Sequence, residues 1–168
     1  DRAGNCAEFS EQIIIELGYI ISGNVYSDRG ENLIHESIGD VTIGLATQKD
    51  GLPFEAFVQS ISSLYTFENI DFDPAAPILV YISGEAVQGN TLTKAPLLED
   101  LFTDIFGLDI YGNTLIARNE TVGAVITNAD FAAAKANVGD VSDIIFSVTG
   151  ADMTLSSGMD FLIWNNNT

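Results

Sequence analysis

Asn69, Asp71 and Asp73 stand at alternate positions of one short stretch, Asn69-Ile70-Asp71-Phe72-Asp73. On an extended backbone three oxygen-bearing side chains at that spacing project to one side. Hard cations such as calcium are held by several carboxylate and carbonyl oxygens gathered at loops. Pro74 follows at once, stopping the strand and fixing the loop. Asp28 with Glu31, and Asp140 with Asp143, are smaller groupings of the same kind. Calcium at Asn69, Asp71 and Asp73, and at Asp28 and Glu31, is the chemistry these residues predict; the alternative at each place is an ordinary solvated turn acid. No EF-hand loop or Gly-Asp nonapeptide accompanies them.

Other chemistry finds little material. His35 is the sole histidine, so any Ser-His-Asp or Cys-His arrangement must use it. It lies in Leu33-Ile34-His35-Glu36, which reads as a solvated turn. Zinc sites built on several His or Cys are excluded by count. Gly84-Glu85-Ala86-Val87-Gln88-Gly89 has no lysine and is no phosphate loop. Carboxylates are so plentiful that no pair stands out for glycoside hydrolysis. The chain is therefore expected not to be an enzyme. Cys6 is the only cysteine, which rules out an intrachain disulfide and leaves an inert thiol or a bond to a neighbouring subunit. The small residue expected directly before the cysteine of a lipoprotein signal is missing from Gly4-Asn5-Cys6.

Charge narrows the partners. Twenty-four Asp and Glu against six Lys and Arg give a formal net charge of −18. Such a surface repels phosphate backbones and anionic lipid heads, so neither nucleic acid nor a membrane surface is an expected partner. No apolar run approaches the ~20 residues that cross a bilayer as a helix. Asn119-Glu120-Thr121 and Asn166-Asn167-Thr168 are sequons, which makes Asn119 and Asn166 candidate glycosylation sites on a secreted chain. The sequence opens on Asp1, and the expectation is either a removed signal peptide or a longer protein around this stretch. Trp164 and the tyrosines are of a type that stacks on sugars, although aromatics at alternating strand positions more often fill a core.

Short apolar runs punctuated by Gly, Asn, Asp and Pro predict strands near 12–26, 39–47, 55–60, 63–69, 77–84, 90–95, 108–111, 114–119, 142–149, 152–156 and 160–164. Val41, Ile43 and Leu45 alternate on one face, as do Ile144, Phe146 and Val148. Tyr111-Gly112-Asn113-Thr114 reads as a hairpin turn. Helices are expected over Pro96–Phe106, where Leu97, Leu98, Leu101, Phe102 and Phe106 follow helical spacing, and over Ala129–Asn137 with Asn128 as cap. The pattern predicts an all-β, antiparallel β-sandwich of Ig-like or jelly-roll type, with one or two short helices and an extended N-terminal strand.

That first strand is unusual. Ile13, Ile15, Leu17, Tyr19 and Ile21 share one alternating face, with Ile14 between them, and Val25 continues the stripe. Fifteen residues at ~3.3 Å each would span ~50 Å, over twice the common strand length. Either two strands meet at a bend or bulge near Gly18, or residues 1–17 are an arm that adds a strand to a neighbouring subunit. In the second case Ile13, Ile14, Ile15, Leu17 and Tyr19 form the assembly strand and residues 18–168 the sandwich, divided into 18–95 and 96–168.

Ile21-Ser22-Gly23-Asn24-Val25-Tyr26-Ser27-Asp28-Arg29-Gly30, Val41-Thr42-Ile43-Gly44-Leu45, Tyr65-Thr66-Phe67-Glu68-Asn69-Ile70 and Pro77-Ile78-Leu79-Val80-Tyr81-Ile82 carry a family likeness. Over about residues 20–85 the chain resembles the carboxypeptidase-regulatory-like (transthyretin-like) β-sandwich units of repetitive bacterial and archaeal surface proteins. The stretch 108–164 is similar to what accompanies such units. The segment 48–54 and the N-terminal segment depart from the pattern. The resemblance implies an inward-facing Tyr65 and Phe67, a role in stalks, spacers or adhesive surfaces, and no catalytic residues. Joined to the leading strand, these readings predict a secreted structural subunit that polymerises with copies of itself, stabilised by calcium. The alternative is an adhesive or carbohydrate-binding module of a larger cell-surface protein, with glycans as partners.

Overall fold

The structure is a computed structural model that describes residues 18–95, 104–119 and 125–165. Its strands are β1 (Tyr19–Tyr26), β2 (Thr42–Lys49), β3 (Leu52–Gln59), β4 (Leu64–Ile70), β5 (Pro77–Ser83), β6 (Asn90–Lys94), β7 (Ile110–Tyr111), β8 (Thr114–Asn119), β9 (Phe146–Thr149), β10 (Asp152–Leu155) and β11 (Asp160–Asn165). Two short helices, α1 (Ile34–Ile38) and α2 (Asn128–Ala136), join them.

The apolar run Pro77-Ile78-Leu79-Val80-Tyr81-Ile82 organises the molecule. It is buried throughout as β5, inside a six-stranded sheet ordered β11-β8-β6-β5-β2-β3. Because side chains alternate, β5 feeds two cores at once. Ile78, Val80 and Ile82, with Ile43 and Leu45 of β2, meet Ile21, Val25, Tyr65 and Phe67 of a three-stranded sheet ordered β4-β1-β7. On the opposite face Leu79, Tyr81, Leu92 and Leu115 pack under Phe131 and Ala134 of α2 and under Ile144 and Phe146, beside the β9–β10 hairpin. Phe131 meets Phe146 edge to face at 5.2 Å, tying helix to hairpin. Strands from residues 18–95 and from beyond residue 96 share the six-stranded sheet, the two stretches meeting where β6 pairs with β8.

An all-β sandwich with minor helix is what the chain forms. The large sheet is mixed, however: β6, β8 and β11 run parallel to one another, while β2, β3, β5 and β6 pair antiparallel. Tyr65 and Phe67 point inward as expected, each about 1% exposed.

Several local expectations are corrected. Gly112 and Asn113 do make a turn, with φ 56° at Asn113, but it joins no hairpin. β7 pairs parallel with β1, and β8 pairs with β6 and β11, so this turn carries the chain between sheets. α2 is capped by Thr127, one residue earlier than Asn128: its hydroxyl accepts from the Asp130 N–H while the Asp130 carboxylate accepts from the Thr127 N–H at 2.7 Å. His35 sits on α1, not in a turn. Within Pro96–Phe106, residues 96–103 lie outside the described residues; Ile105 bridges to Ile21 in extended backbone, where a helix was expected. Segment 48–54 turns at Asp50-Gly51, both at positive φ (53° and 72°), with Lys49 and Leu52 paired across it. That is the two-residue geometry whose twist suits antiparallel strands.

Near Gly18 the strand is irregular. Between Tyr19 and Ile21 the partner on β4 moves from Ile70 to Phe67, three residues against two, and Asn69 takes φ 57° at the extra position. A Cβ on Gly18 would stand 2.3 Å from the Asn69 carbonyl carbon. Only glycine fits there.

Candidate functional site

Asp73, Asp71, Asp28 and Asp143 among the sequence-predicted cation ligands already have structural partners. Asp73 accepts the N–H groups of Asp50 at 2.7 Å and Gly51 at 2.8 Å, one on each carboxylate oxygen, and so locks the β2–β3 turn. Asp71 pairs with the Lys49 ammonium at 2.6 Å. Asn69 occupies the bulge. Asp28 gathers the N–H groups of Gly30, Glu31 and Asn32 on one oxygen, at 2.9–3.2 Å. Those bonds, from Asn32 first, hold its carboxyl below the usual range. Asp28 and Glu31 are thus joined through backbone. Asp140 caps the turn Val141–Asp143, and buried Asp143 accepts from Ser83 and Gly84. His35 meets Asp40 at 2.9 Å on the surface.

Of the assembly residues, Ile13, Ile14, Ile15 and Leu17 lie outside the described residues, as does Cys6. Tyr19 belongs to its own sheet, opposite Ile70 and stacked on Phe72 at 4.9 Å. Both sides of β1 are taken, by β4 and by the segment Ile105–Tyr111. Any exchangeable arm therefore ends before Tyr19. Asn119 closes β8; the rest of its sequon, and Asn166, lie outside the described residues.

The feature that sequence reading missed is an edge of the large sheet that has no partner strand among the described residues. One edge, β3, is partly guarded: Pro53 has no N–H to offer, Glu55 brings a charge, and Phe54, Ala56 and Val58 pack on the core, while Leu52 and Phe57 stay exposed. The other edge is β11, with Phe161 43%, Leu162 37%, Ile163 63% and Trp164 43% exposed. Asp160, at its start, is tied to Arg29, whose guanidinium it holds further toward the charged form. From Phe161 onward the strand carries no charge, in a chain whose formal net charge is −18.

Among the described residues the backbone of that edge is also unpaired. Asp160 donates its N–H to the Asn113 carbonyl at 2.9 Å, in parallel register with β8. In a parallel pair alternate residues turn both backbone groups toward one neighbour. By that alternation Phe161, Ile163 and Asn165 turn theirs outward. Beside them lies a cavity of about 360 Å³ between β11 and α2, lined by Ala117, Ile126, Phe131, Met153, Phe161 and Ile163. Phe161 approaches Phe131 edge to face at 6.3 Å, so the cavity opens directly from the outer strand onto the second core. Among the described residues no helix is long and apolar enough to cross a membrane.

Compared with known proteins, the chain matches no family model, no curated protein and no solved structure.

Proposed function

We propose that the chain is a structural subunit of an extracellular filament or surface assembly, polymerising as the N-terminal segment of one copy adds a strand to a sheet of the next. One observation carries this reading: from Phe161 onward β11 is an uncharged, apolar outer strand with outward-facing backbone groups and no proline to blunt it. Monomeric proteins blunt such edges; here a further strand would finish the sheet. The leading stripe Ile13, Ile15 and Leu17 supplies one from the same gene product. A donor at one place and an acceptor at another make a heterologous contact, which propagates as an open filament unless its rotation closes a ring. The likeness to surface-protein units and the strongly acidic composition support an extracellular setting, with calcium drawn to the carboxylates where copies meet.

Deleting residues 1–17 tests the proposal. The reading expects filaments or large oligomers of the full chain in electron microscopy and size exclusion, and discrete monomers of the shortened one. Polymer that survives the deletion rules out the arm.

A second reading, an adhesive or carbohydrate-binding module, draws on the exposed rings of Phe161 and Trp164. It expects a monomer whose Trp164 emission changes with glycan and not with protein concentration.

A further inference from the structure

The chain offers more than one place for an arm to dock, and strand addition alone does not choose among them. We infer that the acceptor is β11 together with the cavity under α2, and that its occupant is Gln12–Leu17 of a second copy, with Ile13, Ile15 and Leu17 directed into the cavity. The inference rests on the strand-addition reading and adds to it the cavity under α2 as the seat of the arm's side chains and the exclusion of the arm's own subunit.

Length and pattern agree. β11 has six residues and Gln12–Leu17 has six. A strand laid beside β11 has one face toward α2 and the other toward the side of Leu162 and Trp164. Ile13, Ile15 and Leu17 fall on one face of the arm, Ile14 and Glu16 on the other. The α2 side has the more room for three aliphatic side chains: the Leu162 side holds a cavity of about 260 Å³, and the charged Arg29 and Asp160 line it. An apolar protein cavity of ~150 Å³ already takes a benzene molecule, and the one under α2 is about 360 Å³. Ile14 then lies against the Leu162 and Trp164 side, with Glu16 the sole charge brought to the edge.

Charge points the same way. Two copies at −18 each repel wherever their acids face one another. From Phe161 to Asn165 the acceptor has no acid, and the arm has one in six residues, so this contact brings the copies together with little opposing charge.

Geometry excludes the arm's own subunit. Tyr19 is already in the small sheet while β11 belongs to the large one, and Gly18 alone separates Leu17 from Tyr19. Packed sheets stand ~10 Å apart, and two Cα steps reach at most ~7.6 Å. A segment paired along β11 through Leu17 cannot also enter β1 of the same molecule. It belongs to a neighbour.

Complementation in the full-length chain tests this. Ile163→Lys places a charge at the cavity mouth on a side chain 63% exposed, so the acceptor is spoiled while the arm is intact. Ile15→Asp spoils the arm and leaves the acceptor intact. Circular dichroism and thermal melting of both variants should match the parent chain; if Ile163→Lys melts early, Ile163→Asn takes its place. In sedimentation velocity each variant alone should need at least ~10-fold more protein to assemble than the parent, as expected for losing one well-buried anchor. Mixed together they should form a one-to-one heterodimer that grows no further, with Trp164, the sole tryptophan, shifted to shorter emission wavelength. If Ile163→Lys polymerises like the parent while Ile15→Asp does not, strand addition stands and β11 is the wrong acceptor. A mixture that stays monomeric also overturns the assignment. If the parent never assembles, or Ile15→Asp assembles as well as the parent, the parent reading itself is lost.

Discussion

Replacing Asp130 with alanine probes how α2 is held over the second core, and hence the roof of the cavity. Asp130 does two things. One carboxylate oxygen accepts from the Thr127 N–H at 2.7 Å and its hydroxyl at 2.8 Å, completing the capping box; the other meets the Lys94 ammonium at 2.9 Å. Losing the reciprocal half of a cap costs about 0.5–1 kcal/mol. The Lys94–Asp130 pair has side chains only 19% and 14% exposed. It therefore falls between an exposed pair, worth ~0.2–1 kcal/mol, and a buried pair whose breakage costs ~3–5; about 1–2 kcal/mol is reasonable. The sum, about 1.5–3 kcal/mol, corresponds to a fall in Tm of roughly 3–12 °C for a domain of this size. Urea unfolding of Asp130→Ala, Lys94→Met and the double variant measures it, and the cycle isolates the pair. Acid supplies a second readout. Burial opposes ionisation of Asp130, but the Lys94 and Thr127 hydrogen bonds outweigh it and hold the carboxyl below its ordinary 3.8. A depressed folded pKa contributes stability that is complete above the unfolded pKa and fades as pH falls through the folded one. The gap between parent and variant should therefore narrow below about pH 4. A variant within 0.5 kcal/mol of the parent at pH 7 (about the scatter of surface changes), or a gap that widens in acid, refutes the reasoning.

Three further outcomes follow from the same geometry. Gly23→Ala should cost at least ~2 kcal/mol in urea unfolding, because its Cβ would stand 2.4 Å from the Leu108 carbonyl oxygen, a backbone atom with little freedom to yield. Asp73→Ala should cost about 1–2 kcal/mol through the two N–H groups it abandons at the β2–β3 turn. If calcium also sits there, the parent should melt several degrees lower with chelator and the variant should show no such difference; equal parent curves with and without chelator remove calcium from the account. Raising sodium chloride from ~0.01 to ~0.15 M shortens the Debye length from ~30 to ~8 Å, so assembly of a chain at −18 should begin at lower protein concentration; salt-independent assembly argues against charge as the opposing force.

Strand positions were legible because β-proteins of this kind announce turns with Gly, Asn, Asp and Pro and core faces with period-two stripes, as at Val41, Ile43 and Leu45. Pairing was not. β7 joins β1 across some 85 residues, and no local pattern names so distant a partner. The Asp50-Gly51 turn was legible and passed over, since the segment read as a departure from a family pattern. Thr127-Asn128-Ala129-Asp130 likewise holds a capping signal, with Asp in the place more often taken by Glu. α1 has five residues, one buried side chain and no side-chain cap, too little to stand out from a turn. Phe161-Leu162-Ile163-Trp164 misleads most. By composition it is a core strand, and only the sheet order reveals it as an edge.

Hydrogen exchange at the amides of Phe161, Ile163 and Asn165 is the most direct test that a strand from another copy closes this edge. In assembled parent chain these three should exchange at least ~10-fold more slowly than in full-length Ile15→Asp, while Leu162 and Trp164, bonded to β8, differ little. Equal rates at the outward amides in the two proteins would contradict it.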